Sequence, residues 1–146
     1  MRFLFITLLS ILLVFAQAWF GFSIFGVKPN LALILIIVFV LLVKNFWEGA
    51  LFISLLALIL KFAAGFQKEI LIISLIGLGV FFTKKYFSWH PFLSNIFLII
   101  LGTAIFYIFS GIEFILTAIF IKELLLNVIL GTAIFALLQE LWQDNQ

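Results

Sequence analysis

The sequence predicts an all-α integral membrane protein, a compact bundle of six transmembrane helices, or five on a shorter count. Three observations predict it. Of 146 residues, 67% are hydrophobic and 10% charged, where soluble domains run to about 45–50% and about 25%. The apolar residues come in long blocks, without the strict alternation that a transmembrane barrel requires. Short polar corners separate the blocks, so the chain reads as one multi-pass domain over 1–146, with a polar tail at 143–146. A monomer could not keep this much hydrocarbon in water.

The first block, Phe3 to Phe20, is read as a retained helix. Ala16-Gln17-Ala18 has the small-x-small form of a signal cleavage site, but the apolar stretch continues past it without a polar flank. Gly21, Ser23 and Gly26 then loosen the chain before Lys28-Pro29-Asn30. Pro29 suits the first turn of a second helix, where its missing N–H is unpaired in any case. Leu31 to Val43 is thirteen apolar residues, about 20 Å of helix against a hydrocarbon core of about 30 Å. Such a helix must borrow residues at its ends, sit in thinned lipid, or be shielded by neighbours.

Lys44-Asn45 turns the chain into a third helix over Phe46 to Ala64. Ala50, Ser54, Ala57 and Lys61 recur at spacings of four, three and four, which places them on one face. Small residues on a membrane helix allow another backbone to approach closely. A fourth span runs from about Phe66 to Thr83, with Gly77 and Gly79 inside it. The loop Lys84-Lys85-Tyr86-Phe87-Ser88-Trp89-His90-Pro91 pairs lysines with aromatics, as a turn at headgroup depth does. That pair of lysines places this loop, and with it the N-terminus, in the cytoplasm. By count alone the basic residues do not decide orientation, because four fall on each side with Lys84 and Lys85 included.

The fifth span is about Phe92 to Phe109, and the sixth runs from Leu124 to about Leu141 after Lys122-Glu123. Gly111 to Ile121 reads as a re-entrant or interfacial connection. Ile100 to Phe106 recurs letter for letter as Ile129 to Phe135. The flanks differ, which favours coincidence or a shared small-residue packing motif around Gly102 and Gly131 over a duplicated unit.

Chemistry has little material in this chain. There is one histidine, His90, no cysteine, and no metal-ligating or nucleophilic set, so no enzyme, cofactor or metal is predicted. A net charge of +2 without a basic run gives no reason to expect nucleic acid. Glu113, between Ile112 and Phe114, is the acid best placed to lie within the membrane, where an ionisable group marks function by default. Ser, Thr, Gln17, Asn95, Asn127 and Tyr107 read as hydrogen-bonding glue between helices.

Lys28-Pro29-Asn30-Leu31, followed by the small positions Ala50, Ser54 and Ala57, resembles the MreD family of bacterial rod shape-determining membrane proteins. Glu113-Phe114 and the segment around Asn127 are similar to parts of that family as well. Two departures stand out: the small face lacks the family's glycines, and Lys61 stands where an aspartate is usual. The resemblance implies a non-enzymatic subunit of the cell-elongation machinery in the bacterial inner membrane. It implies docking to an MreC-like partner through helix faces, and a role in linking MreB filaments to peptidoglycan synthesis. Ala50, Ser54, Ala57, Lys61 and Glu113 are then the partner-binding candidates, and Gly77, Gly102 and Gly131 the helix-packing ones. The family's fold is similar to that of substrate-binding subunits of energy-coupling factor transporters, which supplies the alternative function.

Overall fold

The computed structural model describes residues 2–64, 67–87 and 90–143. Ser88 and Trp89 of the interfacial loop, and Asp144, Asn145 and Gln146 of the polar tail, lie outside these. Within them the chain forms six α-helices: α1 Arg2–Phe20, α2 Leu31–Leu42, α3 Phe46–Ala64, α4 Lys68–Thr83, α5 Pro91–Ser110 and α6 Ala118–Gln143. Two 3-10 turns, Lys84–Phe87 and Ile112–Phe114, sit in the connections. Four stretches are long and apolar enough to cross a membrane: Phe3–Phe20, Lys68–Phe87, Pro91–Ser110 and Ala118–Leu141.

The shortest helix is the centre. Every residue of α2 from Ala32 to Val40 is buried. A helix that is apolar on all sides has no face for water and packs inside other elements. Around it the other five stand in the order α1, α3, α4, α5, α6, each in contact with α2 and with its neighbour in the series. The series is open: between α1 and α6 runs a groove of about 410 Å³, floored by Leu35 of α2. Of the three ways to accommodate twelve residues in a thicker membrane, the fold uses shielding. The outer faces carry the lipid-facing hydrocarbon, with Leu8, Leu12, Leu51, Leu58, Leu75, Ile108, Leu125 and Ile129 all exposed.

Contacts along the helices set an alternating up-and-down course. Phe3 meets Phe39, so α1 and α2 run opposite ways; Phe39 stacks on Phe52 with ring centroids 3.8 Å apart. Phe46 at the start of α3 meets Phe81 near the end of α4. Lys68 at the start of α4 reaches the Ser110 carbonyl at the end of α5, 3.0 Å away. One end of the bundle therefore carries Lys44, Lys84, Lys85 and His90, and the other carries Lys28, Lys61, Lys68 and Lys122.

Three glycines let the surrounding helices close on the core. A Cβ at Gly77 would lie 2.5 Å from Ile36 Cγ2, and one at Gly102 would lie 2.7 Å from Ile37 Cδ1. At Gly131 it would lie 2.2 Å from Ile99 Cδ1 and 3.3 Å from Ile34 Cγ2. The two copies of Ile-Leu-Gly-Thr-Ala-Ile-Phe thus bring their glycines against α2 from neighbouring helices.

Two expectations about boundaries change. The last helix begins at Ala118, not after Lys122-Glu123, because the Thr117 hydroxyl accepts from the Phe120 N–H at 3.5 Å and serves as a cap. The connection from Gly111 shortens accordingly to one 3-10 turn and a bend. The segment between α1 and α2 is also ordered more tightly than its glycines suggest. Ile24 and Val27 exchange backbone hydrogen bonds of 2.8 and 3.1 Å across Phe25-Gly26, whose φ angles are +53° and +78°. Two positive φ angles at the centre of a two-residue loop are those of a tight hairpin-type turn, here closing an isolated bridge between Ile24 and Val27.

Candidate functional site

A helix end inside a protein leaves backbone groups without partners, and α2 has both ends inside. At its N-terminus the Asn30 side chain accepts from the Leu33 N–H at 3.1 Å, an ordinary cap. Two other helices supply the rest. From α1, Gln17 Oε1 accepts from the Leu31 N–H at 3.2 Å, while its Nε2 donates to the Pro29 carbonyl. From α6, Asn127 Oδ1 accepts from the Asn30 N–H at 3.0 Å, and its Nδ2 donates to Thr103 Oγ1 of α5 at 3.2 Å.

One turn before Asn127, Glu123 lies on the same face of α6. It is 8% exposed, and the Tyr107 hydroxyl of α5 donates to its carboxylate. No lysine, arginine or histidine pairs with it among the described residues. Gln17, Asn30, Thr103, Tyr107, Glu123 and Asn127 therefore form a polar cluster from four helices at one end of the core. In an otherwise apolar bundle these groups hold one another's hydrogen bonds, since leaving any of them unmade is costly.

The opposite end of α2 is closed by a cation. Lys84 Nζ donates to the Val40 carbonyl at 2.9 Å and to the Val43 carbonyl, and lies 4.1 Å from the centre of the Phe81 ring. A positive charge at a helix C-terminus also meets the negative end of the helix dipole. Lys84, read from sequence as half of a cytoplasmic pair, is engaged with the core; Lys85 remains exposed.

The predicted partner-binding residues fall in two places. On α3, Ser54 and Lys61 are exposed, and Ala50 and Ala57 are half-buried along the edge of the same outward face. The Ser54 hydroxyl is turned back onto the Ala50 carbonyl at 2.8 Å, which leaves the outline of the face small. Leu51 and Leu58 stand beside it, both exposed. Glu113 is exposed in the 3-10 turn between α5 and α6, and α4 separates α5 from α3. The structure does not bring Glu113 to the α3 face.

The acid held inside the bundle is Glu123, not Glu113. Two signals pointed to it: Thr117 as a cap four residues before Ile121, and the four-residue spacing of Glu123 and Asn127 on one helical face. Its pairing with Tyr107, sixteen residues earlier, has no local signature. Among the described residues no group of three metal-ligating acids, histidines or cysteines occurs. Compared with family models, with curated proteins and with solved structures, the chain matches none.

Proposed function

We propose that the protein is a non-enzymatic membrane subunit that docks a single-pass partner on the outward face of α3. On its resemblance to the MreD family, that partner is MreC-like, the setting is the bacterial inner membrane, and the assembly links MreB filaments to peptidoglycan synthesis. One observation supports the docking face above others: Ser54 is exposed on the outside of the bundle, with the half-buried Ala50 and Ala57 at the edge of the same face. Small residues used only for internal packing would face α2, as Gly77, Gly102 and Gly131 do. Lys61 at the far end of the face would meet an acidic or carbonyl group of the partner. Its sign differs from the aspartate usual in the family, so the partner's contact there would differ too.

The polar cluster and the Lys84 cap have a supporting role in this reading. They fix α2, against which α3 and its neighbours α1 and α4 pack. Co-purification tests the proposal. The chain, solubilised from cells expressing an MreC-like partner, is expected to retain that partner. Ser54→Trp and Leu58→Trp are expected to release it without loss of the folded bundle, because both positions are exposed. Retention of the partner by both variants would refute the α3 face. Failure to retain any such partner, with a small molecule bound tightly instead, would favour the transporter-subunit alternative.

A further inference from the structure

Away from the polar cluster and the α3 face, a groove of about 380 Å³ runs between α4 and α5. Leu71, Leu75, Gly79 and Thr83 line it from α4, and Leu101 and Ile105 from α5. Apart from the Thr83 hydroxyl, which is committed to the Gly79 carbonyl at 2.8 Å, no lining side chain can hydrogen-bond. A polar solute would lose its hydration there and recover nothing. From Leu71 to Thr83 the groove extends about 18 Å along the helix, against about 15 Å for half of a hydrocarbon core of about 30 Å. That is the reach of one hydrocarbon chain from a single leaflet.

The two ends of the groove differ in charge. At the Leu71 end, Lys68 is held on the Ser110 carbonyl and Glu69 follows it directly. At the Thr83 end the chain enters the turn Lys84–Phe87. Lys84 is occupied by the α2 carbonyls. Lys85 is exposed over the Tyr86 ring, 5.0 Å from its centre, and no carboxylate among the described residues pairs with it. An apolar slot one leaflet long, ending at an unpaired cation beside an exposed tyrosine, has the form of a lipid site.

We propose that the α4–α5 groove binds one acyl chain of an anionic phospholipid whose headgroup sits at Lys85. This inference stands independently of the partner-docking reading. Gly79 gives the direct test, because a Cβ there meets nothing within 4 Å and a larger side chain fills the groove without pressing on the core. The full chain in neutral detergent is mixed with dioleoyl phosphatidylglycerol or dioleoyl phosphatidylcholine, and bound lipid is counted by native mass spectrometry. The wild type is expected to retain phosphatidylglycerol about five-fold over phosphatidylcholine, the factor corresponding to about 1 kcal/mol for one surface lysine. Lys85→Gln is expected to bring that ratio to about one while leaving phosphatidylcholine retention unchanged. Gly79→Leu, and independently Leu101→Trp, are expected to lower retention of both lipids at least several-fold, with unfolding midpoints near that of the wild type. Undiminished retention in both groove variants would overturn the acyl-chain site. An unchanged lipid ratio in Lys85→Gln would overturn the headgroup assignment.

Discussion

Gly77 and Gly79 lie two residues apart in α4, and substituting each with alanine separates helix propensity from packing on the core. Both changes carry the same intrinsic gain, about 1 kcal/mol for alanine over glycine in a helix. At Gly79 the new methyl meets nothing within 4 Å, so Gly79→Ala is expected to stabilise by up to that amount. At Gly77 the methyl would lie 2.5 Å from Ile36 Cγ2 and 2.9 Å from Ile53 Cδ1. The Ile53 terminus can turn aside. Ile36 cannot do so readily: it is 1% exposed on α2, and a β-branched side chain in a helix has one strongly preferred χ1 well. Overpacking of this kind costs about 1–3 kcal/mol. Gly77→Ala is therefore expected to fall about 1–3 kcal/mol below Gly79→Ala, as the shared propensity cancels in the difference. Equilibrium unfolding in mixed micelles, followed by circular dichroism, measures it. Equal stability of the two variants would refute the close approach of α4 to α2.

Three further outcomes follow from the two ends of α2. Lys84→Met removes a charged donor from the Val40 and Val43 carbonyls and is expected to destabilise by about 1.5–3 kcal/mol; Lys85→Met is expected to stay within about 0.5 kcal/mol. The same unfolding assay compares them. Asn127→Leu strands the Asn30 N–H and is expected to cost about 1–3 kcal/mol, with hydrogen exchange at the start of α2 rising more than at its middle. In a double-mutant cycle, Tyr107→Phe and Glu123→Leu are expected to be non-additive by at least about 0.5 kcal/mol, because the two side chains share one hydrogen bond that each change removes. Additive effects would mean that the pair does not act as a unit.

Much of the helical layout was legible because long apolar blocks and polar corners are local signals. Phe46 to Ala64 has the same limits in sequence and structure, since Asn45 and Lys44 mark the break before it. The shortness of Leu31–Leu42 was legible as well, but not which of three remedies the fold adopts, because shielding depends on five other helices. Glu123 escaped notice for a specific reason. Two charges in a row, Lys122-Glu123, resemble a helix boundary, and the cap five residues before Lys122, at Thr117, was hidden in an apolar stretch. Lys84 was obscured by its neighbour: two adjacent lysines read as one interfacial feature, whereas one closes α2 and the other faces outward. The small stripe on α3 was visible from spacing alone, yet spacing does not say whether a stripe faces in or out.

Burial of α2 is the claim on which the caps, the glycine contacts and the packing of α3 all depend. Photolabelling in bilayers containing a phospholipid with a diazirine near its chain terminus tests it directly, read by peptide mass spectrometry. Label is expected on the outward positions of the five surrounding helices, such as Leu12, Leu58, Leu75, Ile108 and Ile129, and absent from Ala32 to Val40 other than Leu35, which floors the groove between α1 and α6. Labelling of the rest of that segment at a level comparable with Leu58 would contradict the account, because it would place α2 in lipid.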